Sequence, residues 1–266
     1  MFLKNCWYMA SWSDSLDADG LTAVTIMNEP VVIYRCCHRL APLSVGRKEG
    51  DEVRCMYHGI KFAGDGRCTE IPGQDLISPK VRVRSYPIVE RHAAAWIWMG
   101  DPARADEALI PPIVGPDDPE WAMVASEIDI NANIQLIVDN VLDLSHAPYV
   151  HAASFGGGNE STIKAQIKGE AAVTVTQLER GIQTERWHLG RPSNPYTGNL
   201  PSDDYVVSQI LAPGVFILKT RVFNPGVRDR TPEGEIPTEE PLMARCTCQM
   251  ITPIDEQLSR FFFTFG

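Results

Sequence analysis

Short apolar runs separated by turn residues fill the first hundred positions, the pattern of β-structure. TAVTIMN (22–28) and PVVIYR (30–35) are β-branched and aromatic runs bounded by Gly, Asn and Pro. KVRVRSYPIVE (80–90) alternates Val with Arg, the period-two signature of a half-buried strand. AAAWIWMG (93–100) reads as a buried strand ending at Gly100, and the Gly-Asp-Gly turn of FAGDGRC (62–68) predicts a hairpin. Five prolines between positions 101 and 120 break the pattern and predict a linker over 106–125, dividing a domain 1–105 from a domain 126–266. From Asn133 to Ala147 the period becomes helical, with Ile134, Ile137, Val138, Val141, Leu142 and Ser145 in step and Pro148 near the end. FGGGNES (155–161) reads as a loop. Six strand-like runs follow: AAVTVTQL, IQTERWHL, YVVSQILA, VFILKTRVF, LMARCTCQMI and LSRFFFTFG. Several strands with one long helix make the second domain α+β.

A length of 266 residues agrees with about two domains at roughly 150 residues each. Lys and Arg number 24 against 34 Asp and Glu, a net charge of −10. That excludes general binding to nucleic acid or to an anionic membrane, since both need a basic face. The longest nearly pure apolar run, Ala93 to Met99, is far short of the ~20 residues of a membrane span. The start, MFLKNCWYMASWSDS, lacks the continuous apolar segment of a signal peptide, so a soluble cytoplasmic protein is expected.

Seven cysteines, an odd number, point in that compartment to thiol, metal or redox work rather than to disulfides. Only six histidines occur, and four fall in two tight groups. The first group is RCCHRLAPLS and RCMYHGIKF: Cys36-x-His38, 16 residues, Cys55-x-x-His58. Each loop offers one thiolate and one imidazole, and Gly46, Gly50 and Gly59 supply turn freedom. Two Cys and two His can hold one zinc or a [2Fe–2S] cluster with two histidines on one iron. Mixing Cys and His within each loop favours the cluster over zinc.

The second group is DNVLDLSHAPYVH. Asn140, Asp143 and His146 are spaced i, i+3, i+6 and share one helix face. His151 is five residues further on, and a turn disturbed by Pro148 lets both imidazoles converge. Two His and one carboxylate with open positions form the facial triad of non-heme Fe(II) oxygenases. The plain alternative is a capped helix end with Asp143 solvated.

Together these residues resemble the Rieske non-heme iron oxygenases, and among them the oxygenase components of vanillate O-demethylase and dicamba monooxygenase. The resemblance runs through KNCWYMASW, CHRLAPLSVGRKEGDEVRCMYHGIKF, RVRSYPIVERHAAAWIWMGDP and the second histidine group. It implies a β-rich Rieske domain followed by a helix-grip, START-like catalytic domain with an antiparallel sheet. It implies Cys36, His38, Cys55 and His58 as cluster ligands, and His146 and His151 as ligands of a mononuclear Fe(II). Asp143 would be the carboxylate bridging a Rieske histidine and an iron-ligand histidine, and Asn140 a residue close to the iron. Cys37 takes the position of a family Pro and is not a fifth ligand.

The implied activity is that of the terminal oxygenase component of an aromatic monooxygenase. It uses O2 and electrons from NAD(P)H through a separate reductase or ferredoxin, since no Gly-rich dinucleotide motif is present. The expected reaction is O-demethylation of a small aromatic compound such as a methoxybenzoate, in a head-to-tail homotrimer. A ring-hydroxylating dioxygenase and a Rieske electron carrier are the rival readings. The family's third iron ligand, an Asp, matches no position before Gly266, and Asp255 in TPIDEQ is read as a hairpin-turn residue. The family's longer hairpin before Cys36 is also missing. Weaker expectations are Trp187 and His188 as cavity lining, Gln249 as a substrate contact, His92 as a turn residue, and Arg39, Arg47, Lys48 and Arg54 as a docking rim.

Overall fold

The structure is a computed structural model, and it describes residues 2–16, 21–31, 37–38, 41–143, 146–151, 173–191 and 201–266. Cys36, Arg39 and the glycine-rich loop 155–161 lie outside these residues. The chain divides into two compact units. One comprises Met1–Ile110, Asp129–Ile134 and Thr252–Arg260; the other comprises Pro111–Ile128, Gln135–Ile251 and Phe261–Gly266. No helix among the described residues is long and apolar enough to cross a membrane.

The first unit is built on three small antiparallel sheets. Strands β1 (Cys6–Trp12), β8 (Ile88–Arg91) and β9 (Ala94–Met99) form one sheet in the order β1-β9-β8. Every residue of β1 and β9 is buried, which is why both read as unbroken apolar runs. Trp7 and Trp98 meet edge to face with centroids 5.4 Å apart. Their indole N–H groups donate to the carbonyls of Asp106 and Asp101, so neither ring leaves a polar atom orphaned. His92 occupies the tight turn between β8 and β9 with φ +58°, as a turn residue should. Strands β2 (Val24–Ile26) and β3 (Glu29–Val31) form a hairpin, and β4 (Arg47–Glu49), β5 (Glu52–Arg54), β6 (Lys61–Ala63) and β7 (Cys68–Glu70) form a meander. The β6–β7 pair is the hairpin expected from the Gly-Asp-Gly turn.

Lys80–Arg84 departs from its sequence pattern. It forms no strand, only a single bridge between Arg82 and Arg67, plus bonds from Cys68 N to Val81 O and from Val83 N to Gly66 O. Of the alternating residues only Val83 is fully buried. Extended backbone flanked by Pro79 and Pro87 is thus tied at isolated points rather than along a ladder.

The main sheet has seven antiparallel strands. The strands are β10 (Val124–Ile130), β11 (Thr174–Leu178), β12 (Gly181–Arg191), β13 (Ser202–Leu211), β14 (Val215–Phe223), β15 (Met243–Pro253) and β16 (Ser259–Phe265). Their order is β10-β16-β15-β14-β13-β12-β11: a meander of six with β10 added at the far edge. The six runs read as strands in the sequence are these six. The Asp255 turn joins β15 to β16, and its carboxylate accepts from the N–H groups of Gln257 and Leu258, as expected of a turn residue.

The proline-rich segment is irregular but packed. Ile110, Ile113 and Val114 are buried, and Val114 is held by Cys248 Sγ at its N–H and by Thr264 Oγ1 at its carbonyl. The predicted single helix is two pieces, α1 (Ile134–Leu142) and the short α2 (Ala147–Val150). Asp143 is already outside α1, and its carbonyl is taken by His146 Nδ1 instead of by a helical N–H. A last short helix, α3 (Val227–Arg230), follows β14.

Candidate functional site

The loop 55–60 joins β5 to β6. It is closed by hydrogen bonds from Cys55 N to Ile60 O (2.8 Å) and from Gly59 N to Cys55 O (3.0 Å). Gly59 turns the chain at φ +74°, where a side chain would be strained. Gly46 is required for a different reason: a Cβ there would lie 2.5 Å from the Arg54 carbonyl oxygen. Cys55 is buried with Leu43, Ile60, Phe62, Cys68 and Val83, whereas His38 and His58 are exposed. The two imidazoles face one another with ring centroids 4.8 Å apart, and Tyr57 packs on His58 at 4.1 Å. A buried cysteine sulfur and two solvent-facing imidazoles are donors of the kind that could hold a [2Fe–2S] cluster with histidines on one iron.

Arg54 braces this loop. Its Nη1 donates to Gly59 O at 2.8 Å, its two Nη groups grip both oxygens of Glu70 at 2.9 Å, and its Nε reaches Glu49 at 2.8 Å. Lys61 pairs with Glu52 at 2.8 Å. Hydrogen bonds from Arg54 hold the carboxyls of Glu49 and Glu70 below the usual carboxylate range, and the bond from Lys61 does the same for Glu52. Of the four residues expected to form a basic rim, Arg54 is spent on acids and on the loop backbone, and Arg47, still largely exposed, pairs with Glu49 at 3.5 Å.

His146 and His151 are brought together in the second unit, with ring centroids 5.5 Å apart. His146 Nδ1 bonds the backbone carbonyl of Asp143. A carbonyl only accepts, so Nδ1 is the donor, and in the neutral ring this leaves Nε2 as the nitrogen that could bind a metal. That is the orientation by which a backbone group prepares a histidine for a metal. Asp143 closes α1 through its N–H to Asp139 O at 3.2 Å, and both its side chain and that of Asn140 are exposed. Among the described residues, no three His, Cys, Asp or Glu side chains meet at one point; the convergence is pairwise, His38 with His58 and His146 with His151.

On one face of the main sheet lies an open cavity of about 230 Å³, lined by Gln183, Glu185, Tyr205, Lys219, Arg221 and Ile236 among others. A hydrogen-bonded chain crosses it, from Gln209 to Gln183 (2.6 Å), from Gln183 to Glu185 (2.8 Å) and from the Tyr205 hydroxyl to Glu185 (2.5 Å). Burial, and then the bond to Glu185, pushes the Tyr205 phenol above its ordinary range. Trp187 is not part of this lining. It is a core residue, packed against Tyr205 at 5.0 Å and Phe223 at 6.0 Å. Cys246 and Cys248 are fully buried on this cavity face, opposite Lys219 and Ile217.

His188 and Gln249 lie on the opposite face of the sheet, with Arg186 and Arg245, which the sequence patterns did not single out. The side-chain Nε of each arginine and Oε1 of Gln249 are buried with no hydrogen-bond partner. Burial first, then the positive Arg191 and Arg186, lowers the His188 imidazole to about 4 against an opposing pull from Asp204. The sign that could have found this face was a single arginine at an alternate position of each of two otherwise apolar or uncharged strand faces, which period-two counting alone treats as solvent-facing.

Residues 6–87 match the Rieske [2Fe-2S] domain, and residues 130–266 match the vanillate O-demethylase oxygenase C-terminal domain. This chain belongs to the Rieske non-heme iron oxygenases of the vanillate O-demethylase type. The oxygenase is 41% identical over 237 residues to the toluene-4-sulfonate monooxygenase system iron-sulfur subunit of Comamonas testosteroni, covering 76% of this chain and 68% of that protein. It is 30% identical over 240 residues to the vanillate O-demethylase oxygenase subunit of a Pseudomonas species, covering 85% and 67%. It superposes on crystalline dicamba monooxygenase bound to 3,6-dichlorosalicylic acid with a TM-score of 0.83 and 28% identity, over 99% of this chain and 78% of that one. The oxygenase is thus an oxidoreductase with an N-terminal Rieske domain and a largely antiparallel catalytic domain. Its cofactors are a [2Fe–2S] cluster and non-heme iron, and its electrons come from a reductase.

Proposed function

We propose that this oxygenase component oxidises a methyl or methoxy carbon of a small aromatic acid, such as a methoxybenzoate, at the expense of O2 and NAD(P)H. A hydroxylated methoxy group collapses to a phenol and formaldehyde. Relatives named for vanillate O-demethylation and for toluene-4-sulfonate oxidation support this substrate class. In this reading residues 1–105 are the Rieske domain, 106–125 the connection and 126–266 the catalytic domain, working as a cytoplasmic homotrimer with a reductase or ferredoxin as donor.

Cys36, His38, Cys55 and His58 hold the cluster; His146 and His151 hold the iron. When bound, the cluster supplies single electrons and the iron supplies O2 activation. The protein's own work is orientation. Arg54 fixes the Cys55–His58 loop through Gly59 O, and the exposed His38 and His58 rings bring the donor side to the surface. The Asp143 carbonyl holds His146 in the tautomer that leaves Nε2 for metal. Asp143 is a positioning residue through its carboxylate as well, and Asn140 stands one helical turn before it on the same face. The observation that carries the reading is the facing pair His146 and His151, one of them locked by the backbone that bears Asp143.

Iron, acid-labile sulfide and the EPR spectrum of reduced, anaerobically purified protein test it. About three irons for two sulfides is the expected result. His146→Ala should bring this to about two irons for two sulfides, abolish substrate oxidation and leave the cluster spectrum intact. Oxidation that survives in His146→Ala refutes the iron assignment.

A further inference from the structure

The face of the main sheet opposite the cavity is short of negative charge. Backbone pairing aligns Arg186, Val206, Thr220 and Arg245 in one row across β12, β13, β14 and β15. The two arginines are three strand spacings apart, roughly 14 Å between backbones at ~4.8 Å each. Between them stand only the short, buried side chains of Val206 and Thr220. Long arginine side chains at the ends of such a row can lean toward one another over its middle. Each has a buried Nε without a hydrogen-bond partner.

Several polar groups on that face are already paired with one another, although Gln249 Oε1 is not. Thr184 and Ser208 bond each other at 2.6 Å. Asp204, the acid of this face on the four strands β12 to β15, pairs with Arg191 at 3.0 Å and accepts from Ser202 Oγ at 2.9 Å. His188, beside Asp204 in the next row, is held neutral by burial and the adjacent positive charge, and so supplies no anion. A buried arginine Nε–H with nothing to donate to is costly unless a ligand supplies the acceptor.

Toward β16 the face becomes largely aromatic. The pairs Cys246–Gly266 and Ile254–Leu258 set the β15–β16 register, which places Phe263 beside Gln249 and Phe261 beside Ile251. Phe261 and Phe263 stack along β16 with centroids 5.9 Å apart, and Phe216 lies beside Gln249 on β14. An aromatic wall on the same face as two arginines whose buried Nε groups lack a partner suits a flat, apolar molecule ending in an oxyanion.

We propose that Arg186 and Arg245 bind the acidic group of the oxygenase's aromatic substrate and so set its preference for aromatic acids over neutral aromatics. This rests on the oxygenase reading above, and its test separates the two. Binding of 4-methoxybenzoate and of its neutral methyl ester is measured calorimetrically on the iron-loaded holoprotein, alongside substrate-dependent O2 uptake. Wild type should bind the acid at least about tenfold more tightly than the ester. Arg186→Gln and Arg245→Gln should each lose about tenfold or more in acid affinity with ester affinity unchanged, while Arg186→Lys and Arg245→Lys keep part of it. Unchanged cluster absorption reports folding, and the lysine variants stand in if a glutamine variant loses it. Acid affinity unaltered in both glutamine variants overturns the proposal. So does a parallel loss of acid and ester binding, or a wild type that does not prefer the acid. Arginine-dependent acid binding without any coupled O2 uptake would uphold the anion receptor and refute the oxidation proposed for it.

Discussion

His188 offers the sharpest quantitative test of the main sheet. Its imidazole lies at about 4, driven there first by burial and then by Arg191 and Arg186, with Asp204 pulling the other way. The unfolded chain returns it to an ordinary 6.5. Below pH 6.5 the unfolded state therefore binds a proton that the folded state refuses until about pH 4. Stability from this group is complete above pH 6.5 and falls as the pH drops through that window. At ~1.4 kcal/mol per pH unit the full loss is roughly 3 kcal/mol, and roughly 2 kcal/mol of it is gone by pH 5. The perturbation is His188→Asn, which removes the titrating group. Urea unfolding of holoprotein at pH 7.5 and pH 5 should show wild type losing roughly 2 kcal/mol more than the variant between the two. The His188 ring proton, identified by its absence in the variant, should not shift in NMR spectra between pH 8 and pH 5.5. Equal pH slopes in the two proteins, or a His188 resonance titrating near 6.5, would refute the argument that this face is buried and positive.

Two further outcomes follow from the backbone. Gly59→Ala puts a side chain at φ +74° with its Cβ 3.1 Å from Pro72 Cγ. A left-handed non-glycine residue costs ~1–2 kcal/mol, so the loop should hold less cluster, read as sulfide per chain and as a lower melting point by visible absorption. Thr252→Val removes the hydroxyl that donates to Met9 O at 2.7 Å between the β15–β16 tip and β1, both in the first unit. Leaving that buried carbonyl without its donor should cost ~1–3 kcal/mol in urea unfolding, with the cluster spectrum unchanged.

The cluster loops and the six-strand meander were legible in the sequence because their signals are local. A Cys-x-His and a Cys-x-x-His with turn glycines need no distant partner to be recognised. Strands such as VFILKTRVF and LMARCTCQMI carry a run of β-branched, aromatic and sulfur residues that only a sheet buries well. His146 and His151 were legible as a pair on the same grounds, since five residues and one proline set how far apart their rings can be.

Tertiary structure decided what those side chains face. KVRVR has the alternation of a strand but finds no neighbouring edge to pair along, so it stays extended and bonded at single points. The single helix expected over 133–147 is two pieces, and beyond the end of α1 His146 takes the Asp143 carbonyl. Arg54 looked like part of a docking surface until its place beside Glu49 and Glu70 turned it into a brace for the cluster loop. Trp187 became core, and Arg186 and Arg245 came to stand at the two ends of one cross-strand row although 59 positions separate them in the chain. The sequence by itself determined the Rieske-type Cys/His spacing and the strands, because spacing and hydrophobic period are properties of adjacent residues. Only the fold decided which charges are spent on one another and which are left buried and waiting, because that depends on strand register and on the face each strand turns inward.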